Sequence, residues 1–294
     1  MSRARASEAH PGYRKYFAPA TPRLRARVLG AIRERGPLRP RDIVSDKVGW
    51  HDHYFAKPSL AKITLEYLWR VGTLAVTARD GQEKVYDLTA NVVPAEHFER
   101  TVTRAEFVDW ICTQALMRLV AATPSQIARF HGGVSIAEAR TWCLKHAKAR
   151  LREVAVECAD GSVMNGIFAL TSVLDRIDLF PDPPRTLRVL NPFDPLVHDR
   201  GARRTERIFG FDFRMEIWVP PGRRAYGYYV LPIVEGPHFT GRVDVKVDRG
   251  ERTLRVLGLW WEDGFRATPR RAAALEAQLL KLARFVGAEH VAGL

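Results

Sequence analysis

Between Leu190 and Arg200 the chain reads Leu-Asn-Pro-Phe-Asp-Pro-Leu-Val-His-Asp-Arg, two X-Pro steps with two carboxylates and a histidine in eleven residues. Prolines at that density break both a helix and a paired strand, so the segment is a shaped loop. Asp194, His198 and Asp199 are its candidate pocket residues. Asp194, held between two prolines, is the first to test as an acid or base; the alternative is a carboxylate that caps the following turn. Arg203-Arg204-Thr-Glu-Arg207 then adds cations. Ile217 to Tyr229 reads as a hairpin whose tip, around Pro220-Pro-Gly222, displays Arg223 and Arg224 beside aromatic residues. Arginines and aromatic rings on a projecting element can enter a minor groove or fill the place of a displaced base, or simply keep the tip soluble.

Other familiar chemistry is missing. His51-Asp52-His53 supplies two-thirds of a metal site, but no third ligand stands at useful spacing and no metal is assigned. The chain has no Walker loop, GxGxxG, HExxH or GxSxG, and no cofactor is expected. Cys112, Cys143 and Cys158 form no CxxC pair, and an odd number does not suit a disulfide framework. A reducing cytosol is the expected compartment, with association to the nucleoid.

The 294 residues carry 46 Lys and Arg against 33 Asp and Glu, a formal charge of +13. Eleven basic and three acidic residues fall between Met1 and Ser45, so most of the surplus lies there. Arginine predominates, and its planar fork suits phosphate oxygens. Double-stranded DNA, damaged or alkylated, is the expected partner of what is expected to be a monomer. No apolar stretch is long enough for a membrane helix, so no membrane contact is expected.

These residues must be held by folded elements. Thr21-Pro22 opens a helix over about 23–35, Arg39 to Val44 a short second one, and Ser59 to Val71 a third with Leu60, Ile63, Tyr67 and Leu68 on one side. Two strands follow around Asp80-Gly81. Three helices and a two-stranded wing predict a winged helix, in which Lys62 and Arg70, with Lys57, face the nucleic acid. The order then recurs: 104–121, 124–130 and a helix over 135–152 capped by Ser135 and Glu138, then a turn at Asp160-Gly161. On that last helix Lys145, Lys148 and Arg152, at spacings of three and four, form one basic stripe. Beyond Pro-rich 180–184 come strand-like runs at 187–190, 215–219, 225–234, 241–247 and 253–260, then a helix over 268–286 with Leu275, Leu279, Leu282 and Phe285 near helical spacing. The expected class is α+β: a basic tail (1–21), winged helices (22–95 and 100–176) and a β-barrel-like domain with a terminal helix (185–294). Lys62, Arg70, Lys145, Lys148, Arg152, Arg203, Arg204, Arg223 and Arg224 are the expected DNA contacts.

Leu190 to Arg200, Arg207-Ile-Phe-Gly-Phe-Asp-Phe-Arg-Met-Glu-Ile217, Tyr226-Gly-Tyr-Tyr-Val-Leu-Pro232 and Gly241-Arg-Val-Asp244 with Lys246 together resemble the C-terminal signature of the crosslink-repair DNA glycosylases of the YcaQ and AlkZ type. Leu65 to Leu74 and Lys84 to Leu88 resemble that family's middle. The resemblance spans about 11–263 and implies tandem winged helices and a C-terminal β-barrel. It also implies excision of N-alkylated bases and unhooking of interstrand crosslinks: water attacks C1′ while an already cationic base departs, so a group that positions the water is needed. The family's Gln-x-Gln or Gln-x-Asp motif belongs to a further N-terminal winged domain, expected upstream of Met1. Gln82, Gln114, Gln126 and Gln278 stand in no such pair, and no catalytic residue is carried over. If active, the chain would hydrolyse the N-glycosidic bond of alkylated purines; the alternatives are a non-catalytic winged-helix DNA-binding regulator and a protein-interaction scaffold.

Overall fold

The computed structural model describes residues 11–44, 58–197 and 203–294, so His51-Asp52-His53, Lys57, His198 and Asp199 lie outside the described residues. The chain divides into two units, Met1–Arg104 and Ala105–Leu294, and the architecture is mixed α+β.

In the first unit, α1 (Pro11–Phe17) precedes α2 (Pro22–Arg35) and α3 (Leu60–Arg70). The expected basic tail is therefore partly helical, and Phe17 is buried beside Ile63. The Thr21 hydroxyl accepts the amide of Leu24, and the Ser59 hydroxyl that of Lys62, which satisfies donors left free at each helix start. Val28 and Ile32 of α2 pack with Ala61, Leu65 and Leu68 of α3. A hairpin, β1 (Leu74–Asp80) and β2 (Glu83–Leu88), supplies Leu74 and Tyr86 to the same core. The expected helix from Arg39 to Val44 is one 3-10 turn at Pro40–Asp42. Leu38 explains this: it exchanges both backbone hydrogen bonds with Tyr86, so the chain enters extended and the turn has little room.

The second unit begins with α4 (Arg104–Leu119), α5 (Pro124–His131) and α6 (Ile136–His146). A three-stranded sheet follows in the order β3 (Ala121–Ala122), β5 (Val163–Leu170), β4 (Leu151–Glu157). The predicted N-cap Ser135 forms a full capping box, as does Thr123 ahead of α5. The predicted helix to Arg152 stops at His146, however. Leu151, 1% exposed, is drawn into the strand pair with Leu170, and burial there outweighs the helix propensity of the Lys and Arg residues around it. Cys112 and Cys143 lie in this core, and burial pushes the Cys143 thiol up to about 12, so it stays protonated at neutral pH.

A second, five-stranded sheet runs β10 (His290–Ala292), β9 (Thr253–Trp261), β8 (His238–Asp248), β7 (Val230–Glu235), β6 (Arg188–Val189), antiparallel except where β10 joins β9. The order is open, with edges at β6 and β10, so where a β-barrel-like domain was expected an open sheet is seen among the described residues. Between β6 and β7 lies a short helix, α7 (Arg204–Phe209). The final helix, α8 (Pro269–Phe285), lays Leu275, Leu279 and Ala283 on Leu231, Ile233, Val243 and Leu254. Phe285, expected on the packed face, is 88% exposed, and Ala283 takes the inner position.

Candidate functional site

The four signature segments meet on one side of the larger sheet. Val197, Phe211 and Phe239 share a small core, with the Phe211 and Phe239 rings parallel at 4.5 Å. The Arg242 guanidinium lies 4.4 Å from the Phe211 centroid and 4.1 Å from that of Tyr226, so it is held between two rings. It is 3% exposed. Its charge is balanced by Glu262, which accepts from Nε at 2.8 Å and lies 2.7 Å from Nη2, while Nη1 donates to the Asp212 carbonyl.

The segment before β7 is shaped by two carboxylates. Glu216 accepts the amides of Ala225, Tyr226 and Gly227 at 2.8, 2.9 and 3.2 Å. Burial pushes its carboxyl up, but the three amides and Arg224 outweigh that and leave it lowered. Asp244, 5% exposed, accepts the amide of Tyr229. Gly227 sits at φ +152°, and a Cβ there would come 2.0 Å from Asp244 Oδ2, so the close approach requires glycine.

These contacts overturn the expected hairpin. Met215 to Val219 is not a strand but a 3-10 turn at Glu216–Trp218, and strand β7 begins only at Val230. The amides at 225–227 bond to a side chain, not to a partner strand. Arg223 is exposed in a 3-10 turn at Pro221–Arg223. Arg224 does not project as a tip. Its Nε donates to the Val219 carbonyl and its guanidinium lies 4.9 Å from the centroid of Tyr228.

The other sequence candidates disperse. Asp194 Oδ1 accepts the amide of Leu196, and its own carbonyl accepts that of Val197, a turn cap as in the alternative reading. Arg203, at φ +47°, pairs with Glu206. Arg204 turns inward, donating to the carbonyls of Ala121 and Leu119 at 2.7 and 2.9 Å. The basic stripe is corrected: Lys145 lies in the last turn of α6, Lys148 in the turn beyond it and Arg152 on β4, so no one helix face carries them, though all three are exposed. Lys62 is exposed on α3, and Arg70 lies over Phe17.

In the sequence Glu216, Tyr226, Arg242 and Asp244 stand only inside motifs, and nothing local marks them, or Glu262, as a site beyond one pattern. Arg242 and Asp244, two apart in a strand that alternates polar and apolar residues, share a face, and buried charges are retained only with partners.

A family model for AlkZ-like DNA glycosylases matches residues 1–285. The chain belongs to the AlkZ-like DNA glycosylase family. Among solved structures, the Streptomyces sahachiroi DNA glycosylase AlkZ resembles it over 99% of this chain and 74% of that one, with a TM-score of 0.55 and 18% identity, a likeness of fold. The four C-terminal segments that resembled this family are brought together in this AlkZ-like chain: Val197 packs with Phe211, and Arg242 lies between Phe211 and Tyr226. No helix among the described residues is long and apolar enough to cross a membrane.

Proposed function

We propose that this AlkZ-like protein binds double-stranded DNA at an N-alkylated base, with its helix-and-hairpin modules acting as tandem winged helices. The observation that carries the reading is the convergence of Val197, Phe211, Tyr226 and Arg242, one from each signature segment, in a chain of this family. Two further features support it. Three helices followed by an antiparallel hairpin occur in the first unit and again at the start of the second. Lys62, Lys145, Lys148, Arg152 and Arg223 are exposed and suit contacts to phosphate, with Arg70, Arg203 and Arg224 as neighbours on partly engaged side chains. Arg204 is left out of this set because its guanidinium ties β3 to α7.

In the reaction proposed for the family, water attacks C1′ and the cationic base leaves without a strong acid; what the protein must supply is a group that holds the water. Gln126 does not suit that role here, since its Oε1 accepts the Thr123 amide in a cap. The test is a single-turnover assay of the full chain on a duplex with one N7-alkylguanine, following bound fraction and base release together. Tight binding with base release supports a glycosylase. Binding without release supports the non-catalytic regulator, and no salt-sensitive binding removes both readings.

A further inference from the structure

Tyr228 is 50% exposed, and Arg224 covers one side of its ring at 4.9 Å. Arg224 is itself held by a neutral acceptor, the Val219 carbonyl, at 2.8 Å. The charge stacked on the Tyr228 ring is therefore positive, while the Glu216 carboxylate, beside Arg224, is turned to the amides of 225–227. Tyr226 repeats the pattern at 37% exposure, with buried Arg242 at 4.1 Å and Trp260 edge-on at 5.4 Å. Glu262 meets Arg242 through Nε and Nη2, which lie in the guanidinium plane, so the carboxylate sits at the edge of that group and not over the ring. Both rings are fixed from behind, since Glu216 and Asp244 anchor the amides of 225–227 and 229.

A ring already engaged by a guanidinium has one of its two negative faces in use. A second cation stacked on the open side meets the first across a layer of low dielectric, whereas a neutral base keeps the full stacking attraction. We propose that Tyr228, with Tyr226 beside it, stacks on a neutral, unpaired base in the damaged duplex and not on the cationic alkylated base. The site then reads the partner base left unpaired when the lesion base is taken out of the stack, and discrimination of the lesion's own charge belongs elsewhere in the protein. This inference rests on the DNA-binding reading above.

The experiment measures binding of the full chain, by fluorescence anisotropy, to three duplexes. One holds an abasic analogue opposite an ordinary base, one a hydrolysis-resistant 2′-fluoro N7-methylguanine, and one no damage. Tyr228→Leu is expected to lose about tenfold in affinity for the abasic-analogue duplex, the worth of one stacked base, with Tyr228→Phe retaining it and binding to undamaged duplex changing far less. Loss by Tyr228→Leu on the N7-methylguanine duplex alone, or no loss on any duplex, overturns the inference while the functional reading stands. A wild-type chain that binds all three duplexes equally overturns that reading and this inference with it.

Discussion

Arg242 is accommodated at 3% exposure because it has three kinds of partner at once: a carboxylate, a backbone carbonyl and two aromatic faces. Removing one member of such a group leaves the others desolvated and unmatched, which is why the loss exceeds the worth of any single contact. Arg242→Leu is expected to destabilise the protein by about 3 kcal/mol, measured by urea unfolding, because Glu262 loses its cation. Arg242→Lys should recover less than half of that, since an ammonium has neither the fork for Glu262 and Asp212 nor a plane to lie between Phe211 and Tyr226. Full recovery by lysine would show that charge alone matters at this position.

Among the elements, the first hairpin shows how misleading a count of cations can be. Arg39 lies 2.9 Å from Asp42 and 2.6 Å from Asp80, while Arg41 pairs with Asp80 and, at 3.1 Å, with Glu83. Two of the arginines that made the N-terminal region basic are therefore occupied in tying the 3-10 turn to the hairpin tip. Hydrogen bonds from the Arg39 side chain and amide hold the Asp42 carboxyl down at about 2, from 3.8. Its folded value is the lower one, so its contribution to stability is complete above about pH 4 and is lost as pH falls toward 2. The difference in thermal midpoint between wild type and Asp42→Asn should be present at pH 5 and close by pH 2. An equal gap at both values would show that the pair does not act through its charge. Helix α7 has the matching role in the second unit: Arg204 reaches β3, the Arg207 carbonyl accepts the Ala159 amide, and Ile208 packs on Cys158, Met164 and Ile167. The turn at Asp160-Gly161 is thereby fastened to the chain that leads into the larger sheet.

For the whole molecule, a charge of +13 is a statement about association more than about folding. Each phosphate neutralised steepens the fall of log affinity with log salt by about 0.9. Lys62→Ala and Lys145→Ala, both exposed, should each flatten that slope by about one. Arg41→Ala should leave it nearly unchanged, because Arg41 already faces Asp80 and Glu83. If Arg41→Ala flattens the slope as much as the lysine variants do, the hairpin ion pairs open on DNA. What the sequence by itself determined was local: the caps at Thr21, Ser59, Thr123 and Ser135, the turns at Asp80-Gly81 and Asp160-Gly161, and the α+β class, each set by a few neighbouring residues. The motif segments were legible as strings, and their family with them. Where α6 ends, why 215–229 is no hairpin, and that Arg242 closes on Phe211, Tyr226 and Glu262 were decided only in the tertiary structure. Those outcomes depend on burial and on amides captured by distant carboxylates, and such partners have no fixed spacing along the chain.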